Sequence, residues 1–368
     1  MKYVTDFRDP EKVKVLQKKL SYIVEEITLK YDRKIRIMEV CGGHTHTLFK
    51  YGLKQIIPTD VEMIHGPGCP VCVLPKNIVD NCILMSKNKN VIITTFGDAM
   101  RVPGSVNSLL QAKADGADIR MVYSPSDSLE IAKKHPDKDV VFFGLGFETT
   151  MPSTAFTIVE AHRQNVNNFS LYCNHITIPQ TLKALLDDKD LNIDAFIGPG
   201  HVSMVIGTKV FDFISEVYKK PIVVSGFEPL DILQSILMVL QQLKKGKGFV
   251  ENQYNRVVNT FGNKNAVKVI SEVYEIRDFC EWRGLGSIAN SGVKIKRKYK
   301  MFDAEKKYNL KKQNIADPEE CQCGEVLKGF LKPPECKVFG NKCTPENPLG
   351  ALMVSTEGAC SAYYKYSF

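Results

Sequence analysis

The sequence predicts an α/β protein with two similar parallel-sheet lobes that face a cleft, plus a C-terminal domain with helices. The first observation is a series of short apolar, β-branched segments, most of which end at or near Gly or Cys: KIRIMEVCGG, VEMIHGPGC, VIITTFGD, IRMVYS, DVVFFGLGFE, SLYCNH, AFIGPGH and PIVVSGFE. Continuous apolar strands of this kind are typical of parallel sheets that are buried on both faces. The second observation is that helical segments separate the strands, at 76–87, 105–115, 127–134 and 180–187. Regular alternation of strand and helix indicates α/β architecture.

The remaining segments complete this organisation. Residues 10–32 have apolar residues at the helical period and predict an amphipathic helix. The eight strands divide into sets at 35–123 and 138–224, which predicts lobes over 35–124 and 125–224. Each strand is followed by a distinctive loop at its carboxyl end, where open α/β sheets bind ligands. If the lobes face each other, these loops line one cleft.

The sequence pattern changes at about residue 225. Residues 229–246 and 265–276 are expected to be helical, and we group 225–368 with 1–34 as a third domain. The tail from 315 to 368 is rich in Pro, Gly and Cys and has little periodicity. Such a segment buries too little apolar surface to fold alone. We expect it to fold around a metal centre, whose binding energy then contributes to folding.

Composition excludes several classes of protein. No run of eighteen apolar residues predicts a membrane span, and the N-terminus lacks the apolar segment of a secretory signal. We therefore expect a cytoplasmic protein. The net charge is +8, and residues 294–312 hold nine basic and two acidic residues. Without a nucleic-acid-binding module, we interpret this stretch as a solvated connecting segment, with a docking surface for an acidic partner as the alternative.

The chain has eleven cysteines. In a reducing compartment, clustered cysteines more often indicate metal or redox chemistry than static disulfides. Cys82, Cys173 and Cys280 stand alone in apolar stretches and are interpreted as small core residues. The other eight form two groups, near 41–72 and 321–360.

The C-terminal group predicts a metal or redox centre. Cys321 and Cys323 form a CxCG motif, and Cys336, Cys343 and Cys360 follow at wide, uneven intervals. Structural zinc usually uses CxxC-type knuckles, so the spacing favours an iron–sulfur cluster over zinc or a redox disulfide. Cys360 is interpreted as the spare thiol, which could exchange or pair transiently with a neighbour.

The N-terminal group predicts a second, open site. Cys41 follows the first strand in CGGHTHT, and a helix that begins near His44 would lower the pKa of its thiol. Cys69 and Cys72 form a CxxC motif, which is either a pair of metal ligands or a redox-active dithiol. Three thiolates and an imidazole together can hold iron.

Other polar loops follow the second set of strands. The segment GLGFETT lacks the elements of a nucleotide-binding loop, so we interpret Glu148 as a polar residue that lines the cleft, with helix capping by the adjacent threonines as the alternative. For His175 and His201 a structural role is favoured over metal ligation.

The motifs CGGHTHT, HGPGCPVC, TTFGDAMRVPG, GFETTMPSTA, GPGHVS and GFEPLDIL, with the cysteine-rich segment 333–364, closely resemble the HypD family of hydrogenase maturation proteins. The resemblance runs from about residue 35 to the last residue. It implies a role in building the Fe(CN)2CO unit of [NiFe]-hydrogenases, in complex with the small chaperone HypC and with cyanide-derived ligands received from HypE. It also implies a protein that is a monomer within this hetero-complex.

The resemblance further implies residue roles. Cys41 would ligate the iron under assembly with His44 beside it, and Cys69 and Cys72 would belong to the same iron site and to its redox chemistry. A C-terminal [4Fe–4S] cluster would be held by the four cysteines that match the family motif: Cys321, Cys323, Cys336 and Cys343. The chain departs from the family at Leu352, where many members have Cys, so any thiol relay there would fall to Cys360.

We therefore expect an assembly scaffold with a redox role rather than a conventional turnover enzyme. The rival hypothesis is a thiol–disulfide oxidoreductase that uses Cys69 and Cys72 with electrons from the cluster.

Overall fold

A computed structural model describes residues 5–28, 33–311 and 315–366 of the chain. Its strands are, in chain order, β1 Ile35–Glu39, β2 Val61–His65, β3 Val91–Thr95, β4 Ile119–Met121, β5 Asp139–Gly146, β6 Phe169–His175, β7 Ala195–Pro199, β8 Ile222–Ser225, β9 Val250–Asn252, β10 Tyr274–Trp282 and β11 Gly286–Ile295. The eight predicted strands correspond to β1–β8, so their prediction is confirmed.

The strands form two parallel sheets and one hairpin. The first sheet has the order β2-β1-β7-β8-β9 and the second the order β4-β3-β5-β6, with parallel neighbours throughout. Strands β10 and β11 pair with each other in the antiparallel sense. The predicted α/β class with two parallel-sheet lobes is confirmed.

The grouping of the strands differs from the expected sets at 35–123 and 138–224. The first sheet takes β1 and β2 from the N-terminal part of the chain and β7–β9 from beyond residue 194, while β3–β6 form the second sheet. The boundary at 124/125 therefore does not separate the two sheets. Apolar periodicity identifies strands but not their neighbours, and β7 pairs beside β1 because their inward residues share one core, as in the pairing of Ile37 with Ala195.

Helices lie against both sheets. They are α1 Pro10–Thr28, α2 Gly42–Lys50, α3 Lys76–Ser86, α4 Leu109–Ala114, α5 Pro125–Lys134, α6 Met151–Arg163, α7 Ile178–Leu186, α8 Gly200–Ile206, α9 Asp212–Glu216, α10 Pro229–Lys244, α11 Lys264–Val273, α12 Ala304–Lys307, α13 Cys323–Lys328 and α14 Ala359–Tyr366. Helix α1 confirms the predicted amphipathic helix and buries Leu20, Ile23, Val24 and Ile27. Residues 29–32 of that prediction lie outside the described residues.

The β10–β11 hairpin is absent from the sequence interpretation. Most of its side chains are exposed or half-buried, so it lacks the apolar run by which the other strands are recognised. The basic stretch that begins within β11 is more than a connecting segment, because Tyr299 and Phe302 are fully buried. Several of its lysines pair with carboxylates, including Lys298 with Glu272 at 2.9 Å and Lys307 with Asp139 at 2.7 Å.

The C-terminal tail packs into the largest of the three described apolar clusters. That cluster contains Cys69 and Cys72 from the CxxC motif together with Cys323, Cys343 and Cys360 from the tail. The two cysteine groups, far apart in sequence, thus share one continuous core. Among the described residues, no helix is both long enough and apolar enough to cross a bilayer.

Candidate metal centre

Cys41 occupies the junction between β1 and α2. Its backbone is extended, with φ −150° and ψ 120°, and helix α2 begins at the next residue. The thiol is buried, and this burial raises the pKa of Cys41 to about 12, while the backbone amides of Gly43 and His44 act in the opposite direction. The expectation that a helix N-terminus would lower this pKa is therefore wrong in its net effect. Desolvation of the thiolate outweighs the helix amides.

His44 lies one turn into α2 and is fully buried. Its Nε2 is 3.2 Å from the carbonyl oxygen of Ser225, and its Nδ1 is a buried atom without a hydrogen-bond partner. Burial lowers the pKa of His44, so the ring is neutral near pH 7. A neutral imidazole with one uncommitted ring nitrogen is the form that ligates metals.

A second imidazole reaches the same place from β7. The ring of Phe227 stacks on His201 with centroids 3.8 Å apart and on His44 with centroids 4.8 Å apart. His201 belongs to the GPGHVS loop, which the sequence interpretation placed with the other lobe and to which it gave a structural role. The sequence sign that could have identified His201 as a site residue is its position directly after a buried strand. Its proximity to Cys41 follows only from the strand order of the first sheet, in which β7 lies beside β1.

Cys69 and Cys72 form a disulfide, with Cα atoms 5.3 Å apart. The motif lies in a short 3-10 turn over Val71–Val73, and α3 begins only after Pro75, so the CxxC motif does not open a helix. The loop adjoins the Cys41 turn directly: Gly42 donates its N–H to the carbonyl of Gly68 at 3.0 Å, and a Cβ atom on Gly68 would lie 2.3 Å from the Cys41 nitrogen. Glycine at 68 is thus required for the close approach of the two loops.

The segment 354–358 lies across both loops. A Cβ atom on Gly42 would lie 2.4 Å from Cβ of Glu357, and one on Gly358 would lie 3.0 Å from Sγ of Cys72. Arg101, from the second sheet's TTFGDAMRVPG loop, donates to the carbonyl of Val354 at 2.7 Å. Burial, followed by the charges of Asp98 and Glu39, raises the pKa of Glu357. Sequence reasoning missed Glu357, because it lies in a tail interpreted only through its cysteines.

The C-terminal cysteines also gather together. Sγ of Cys321 and Sγ of Cys323 are 3.3 Å apart, and the thiol of Cys360 interacts with that of Cys323. Hydrogen bonding to a neighbouring thiol and burial raise the pKa of Cys321, and burial raises that of Cys343. Thiols this close cannot all ionise unless a cation offsets their charge.

These thiols form a donor set suited to an iron–sulfur cluster. A Cβ atom on Gly350 would lie 2.4 Å from Sγ of Cys323 and 2.5 Å from Sγ of Cys321, so only glycine leaves room beside them. Within the described residues, no three His, Cys, Asp or Glu side chains are arranged to hold a single metal ion. A cluster has a different requirement, since its cysteines bind separate iron atoms. Ligation by Cys321, Cys323, Cys336 and Cys343 stays a prediction, as does a relay through Cys360.

Glu148 contacts a helix end. Its Oε1 and Oε2 atoms lie 3.2 and 3.4 Å from the backbone nitrogen of Ile178, the first residue of α7. Burial raises the pKa of Glu148 to about 8. The carboxyl group thus caps α7. Thr150 is the N-cap residue of α6, as the alternative interpretation expected, but its hydroxyl makes no capping hydrogen bond. Participation of Glu148 in the chemistry of the cleft stays a prediction.

Comparison with known proteins finds relatives that match over nearly the whole chain. A family model described as "HypD: Hydrogenase formation hypA family" matches residues 14–367. The hydrogenase maturation factor HypD of Rhodobacter capsulatus is 54% identical over 370 residues, covering 100% of this chain and 98% of the relative. HypD of Escherichia coli (strain K12) is 52% identical over 366 residues, covering 100% and 98%. HypD2 of Bradyrhizobium diazoefficiens is 46% identical over 373 residues, covering 100% and 97%.

Proposed function

Because the chain belongs to the HypD family of hydrogenase maturation factors, we propose that it is a redox-active scaffold on which the Fe(CN)2CO centre of [NiFe]-hydrogenase is assembled. One observation carries the proposal: the Cys41 turn, the uncommitted nitrogen of His44 and the Cys69–Cys72 disulfide meet at the carboxyl edge of one sheet. In this proposal iron is the cargo of the site.

Iron binding at Cys41 requires the loss of a proton from a thiol whose pKa is raised. With the pKa raised to about 12, the thiol is protonated at neutral pH. A bound cation replaces the proton and offsets the desolvation cost of the thiolate, so metal binding releases a proton to solvent. Nδ1 of His44 is available as a second donor atom without breaking a hydrogen bond.

The disulfide gives the site its redox role. Reduction of Cys69–Cys72 consumes two electrons and two protons and yields two thiols beside Cys41. Only in that state can either sulfur bind iron, so ligation and thiol–disulfide exchange alternate at the same loop. A [4Fe–4S] cluster held by Cys321, Cys323, Cys336 and Cys343 would, when bound, supply or accept single electrons.

Partners complete the coordination of the iron. We propose that HypC contributes a thiolate to the iron at Cys41, that HypE delivers the cyanide-derived ligands, and that this chain is a monomer within the resulting cytoplasmic complex. Because Cys41 is buried and Glu357 lies against the turn at Gly42, segment 354–358 would have to move aside for a thiolate of HypC to reach the iron.

The test is infrared spectroscopy of the complex purified anaerobically with its HypC partner. The wild-type complex should show bands from iron-bound cyanide and CO. Cys41→Ala should abolish those bands and leave the visible absorbance of the cluster intact, because the two sites use different thiols. Simultaneous loss of both signals would contradict two separate sites, and absence of the bands from the wild-type complex would refute the scaffold role.

The disulfide also favours a second candidate function, thiol–disulfide oxidoreductase activity of Cys69 and Cys72. Turnover of a disulfide substrate by the isolated protein, abolished in Cys72→Ser and retained in Cys41→Ala, would support this candidate. A lack of turnover in the reduced, cluster-loaded protein would eliminate it.

A further inference from the structure

A buried carboxylate lies directly beneath the Cys41 turn. Glu39 is the last residue of β1, and its side chain is 1% exposed. Its Oε2 accepts the backbone N–H of Cys41 at 3.0 Å. Its Oε1 accepts a hydrogen bond from the hydroxyl of Thr45, in the first turn of α2, and lies 2.8 Å from Nδ1 of His65.

The sheet holds this carboxylate in place. Glu39 and His65 face each other in the β1–β2 register, and His65 is itself only 5% exposed. The tautomer with hydrogen on Nδ1 donates to the carboxylate. Its Nε2 is buried without a hydrogen-bond partner, so the hydrogen bond to Glu39 is the polar contact that fixes the ring. Because both side chains are anchored by their strands, the oxygen atoms of Glu39 have little freedom.

The pairing of β1 with β2 does not depend on this carboxylate. The backbone of Glu39 completes the strand pairing through its own carbonyl, which accepts the N–H of Gly66 at 2.9 Å. An apolar side chain of similar volume would cost less to desolvate, but it would leave the Cys41 amide, the Thr45 hydroxyl and Nδ1 of His65 without this acceptor. The carboxylate instead acts on the Cys41 turn. It accepts hydrogen bonds from the Cys41 amide and from Thr45 in the first turn of α2, and its negative charge interacts with the Cys41 thiol.

We propose that Glu39, held by His65, is a positioning residue that orients Cys41 toward its metal ion and increases the electron donation of the thiolate. Residues that hydrogen-bond around a ligand orient it and raise its basicity in many metal sites. The inference rests on the proposed function for the identity of the metal, but the contact between Glu39 and the Cys41 turn does not.

The first experiment measures iron in the complex with the HypC partner. Glu39→Gln keeps the shape and an acceptor oxygen but removes the charge, and Glu39→Ala removes both. We expect Glu39→Ala to lower iron affinity at the Cys41 site by roughly 10–100-fold. Glu39→Gln should retain the cyanide bands but shift them to higher wavenumber, because less electron density reaches the iron.

Glu62→Gln is the matched control. Glu62 lies on β2 three residues before His65 and pairs with Arg36 and Lys332, away from Cys41. This variant should have wild-type bands and iron affinity. A Glu39→Gln variant that is indistinguishable from wild type in both measurements would overturn the proposal. This isosteric variant decides the question even if Glu39→Ala does not fold.

The second experiment separates this inference from the proposed function. Amide hydrogen exchange of the isolated, metal-free protein should show faster exchange at Cys41 in Glu39→Ala than in wild type, while Glu62→Gln leaves it unchanged. If the wild-type complex lacks cyanide bands, the scaffold role is refuted. The exchange data still test whether Glu39 holds the Cys41 amide. Unchanged exchange at Cys41 in Glu39→Ala would refute the positioning role.

Discussion

At the scale of single residues, burial controls the chemistry of the candidate site. Cys41, His44 and His65 all lie in the interior, and desolvation shifts each of them toward its neutral form. The neutral thiol of Cys41 and the neutral imidazole of His44 are forms that can bind a cation, while His65 donates a hydrogen bond to Glu39. The site is therefore better suited to receiving a metal ion than to acting as an exposed nucleophile.

The raised pKa of Cys41 predicts unusual alkylation kinetics in the metal-free protein. Only the thiolate reacts, so with a pKa of about 12 the rate of iodoacetamide modification at Cys41 should still rise about tenfold per pH unit between pH 8 and 10. An ordinary thiol levels off in this range. Mass spectrometry of the Cys41 peptide measures the rate, with Cys41→Ser as the blank. A plateau near pH 9 would show that the thiol is not desolvated.

At the scale of secondary-structure elements, strand and helix ends position the polar groups. Cys41 follows β1, His201 begins α8 after β7, and Glu148 caps the start of α7. In each case a buried strand ends and the next residues turn at the same edge of a parallel sheet. This arrangement explains why sequence motifs that follow strands contain the residues of the site.

The cap at α7 predicts a pH-dependent stability. The pKa of Glu148 is raised by burial from 4.5 to about 8, so the folded state holds its proton more tightly than the unfolded state. The unfolding free energy should therefore fall as the pH rises from about 5 to 8, by up to about 1.4 kcal/mol per pH unit. Glu148→Gln should remove this slope, as measured by urea denaturation at several pH values. The exposed Glu25→Gln serves as the control, and an unchanged slope in Glu148→Gln would contradict the assignment.

At the scale of the whole molecule, the C-terminal segment packs in the same apolar cluster as the CxxC loop. Arg283, in the β10–β11 turn, makes hydrogen bonds to several of the segments that meet there. Its backbone N–H donates to Val73 at 2.8 Å, and its side chain donates to Pro103 at 3.2 Å and Leu349 at 3.4 Å. Its guanidinium also pairs with Asp317 at 2.7 Å. The backbone of Arg283 thus contacts the CxxC loop, and its side chain connects the C-terminal segment to the loop that follows β3.

Replacing Arg283 should therefore loosen the molecule globally. We expect Arg283→Ala to lower the unfolding free energy by roughly 2–4 kcal/mol, less than for a fully buried pair because Asp317 stays partly exposed. Thermal denaturation measures the loss, and limited proteolysis should cleave first in the C-terminal segment. Arg163→Ala, which removes an exposed pair with Glu160, should leave the unfolding free energy close to that of the wild type. Similar behaviour of the two variants would contradict the central role of Arg283.

Much of this organisation could be predicted from local sequence patterns. The eight strands, the N-terminal helix and the α/β class follow from apolar periodicity and from Gly-rich strand ends. The β10–β11 hairpin could not be predicted in this way, because most of its side chains are exposed or half-buried. Glu39 was also missed: a single charged residue at the end of an apolar strand carries no local sign of what it will contact.

The sequence by itself determined that this protein has two cysteine groups, that each follows or builds a distinctive loop, and that its motifs match one family. Only the tertiary structure decided that both groups share a core, that β7 brings His201 to Phe227 beside His44, and that Glu39 lies under Cys41. The physical reason is that local patterns encode burial and turn geometry, whereas strand order and long-range packing decide which loops meet. The buried site near Cys41 is a product of that packing.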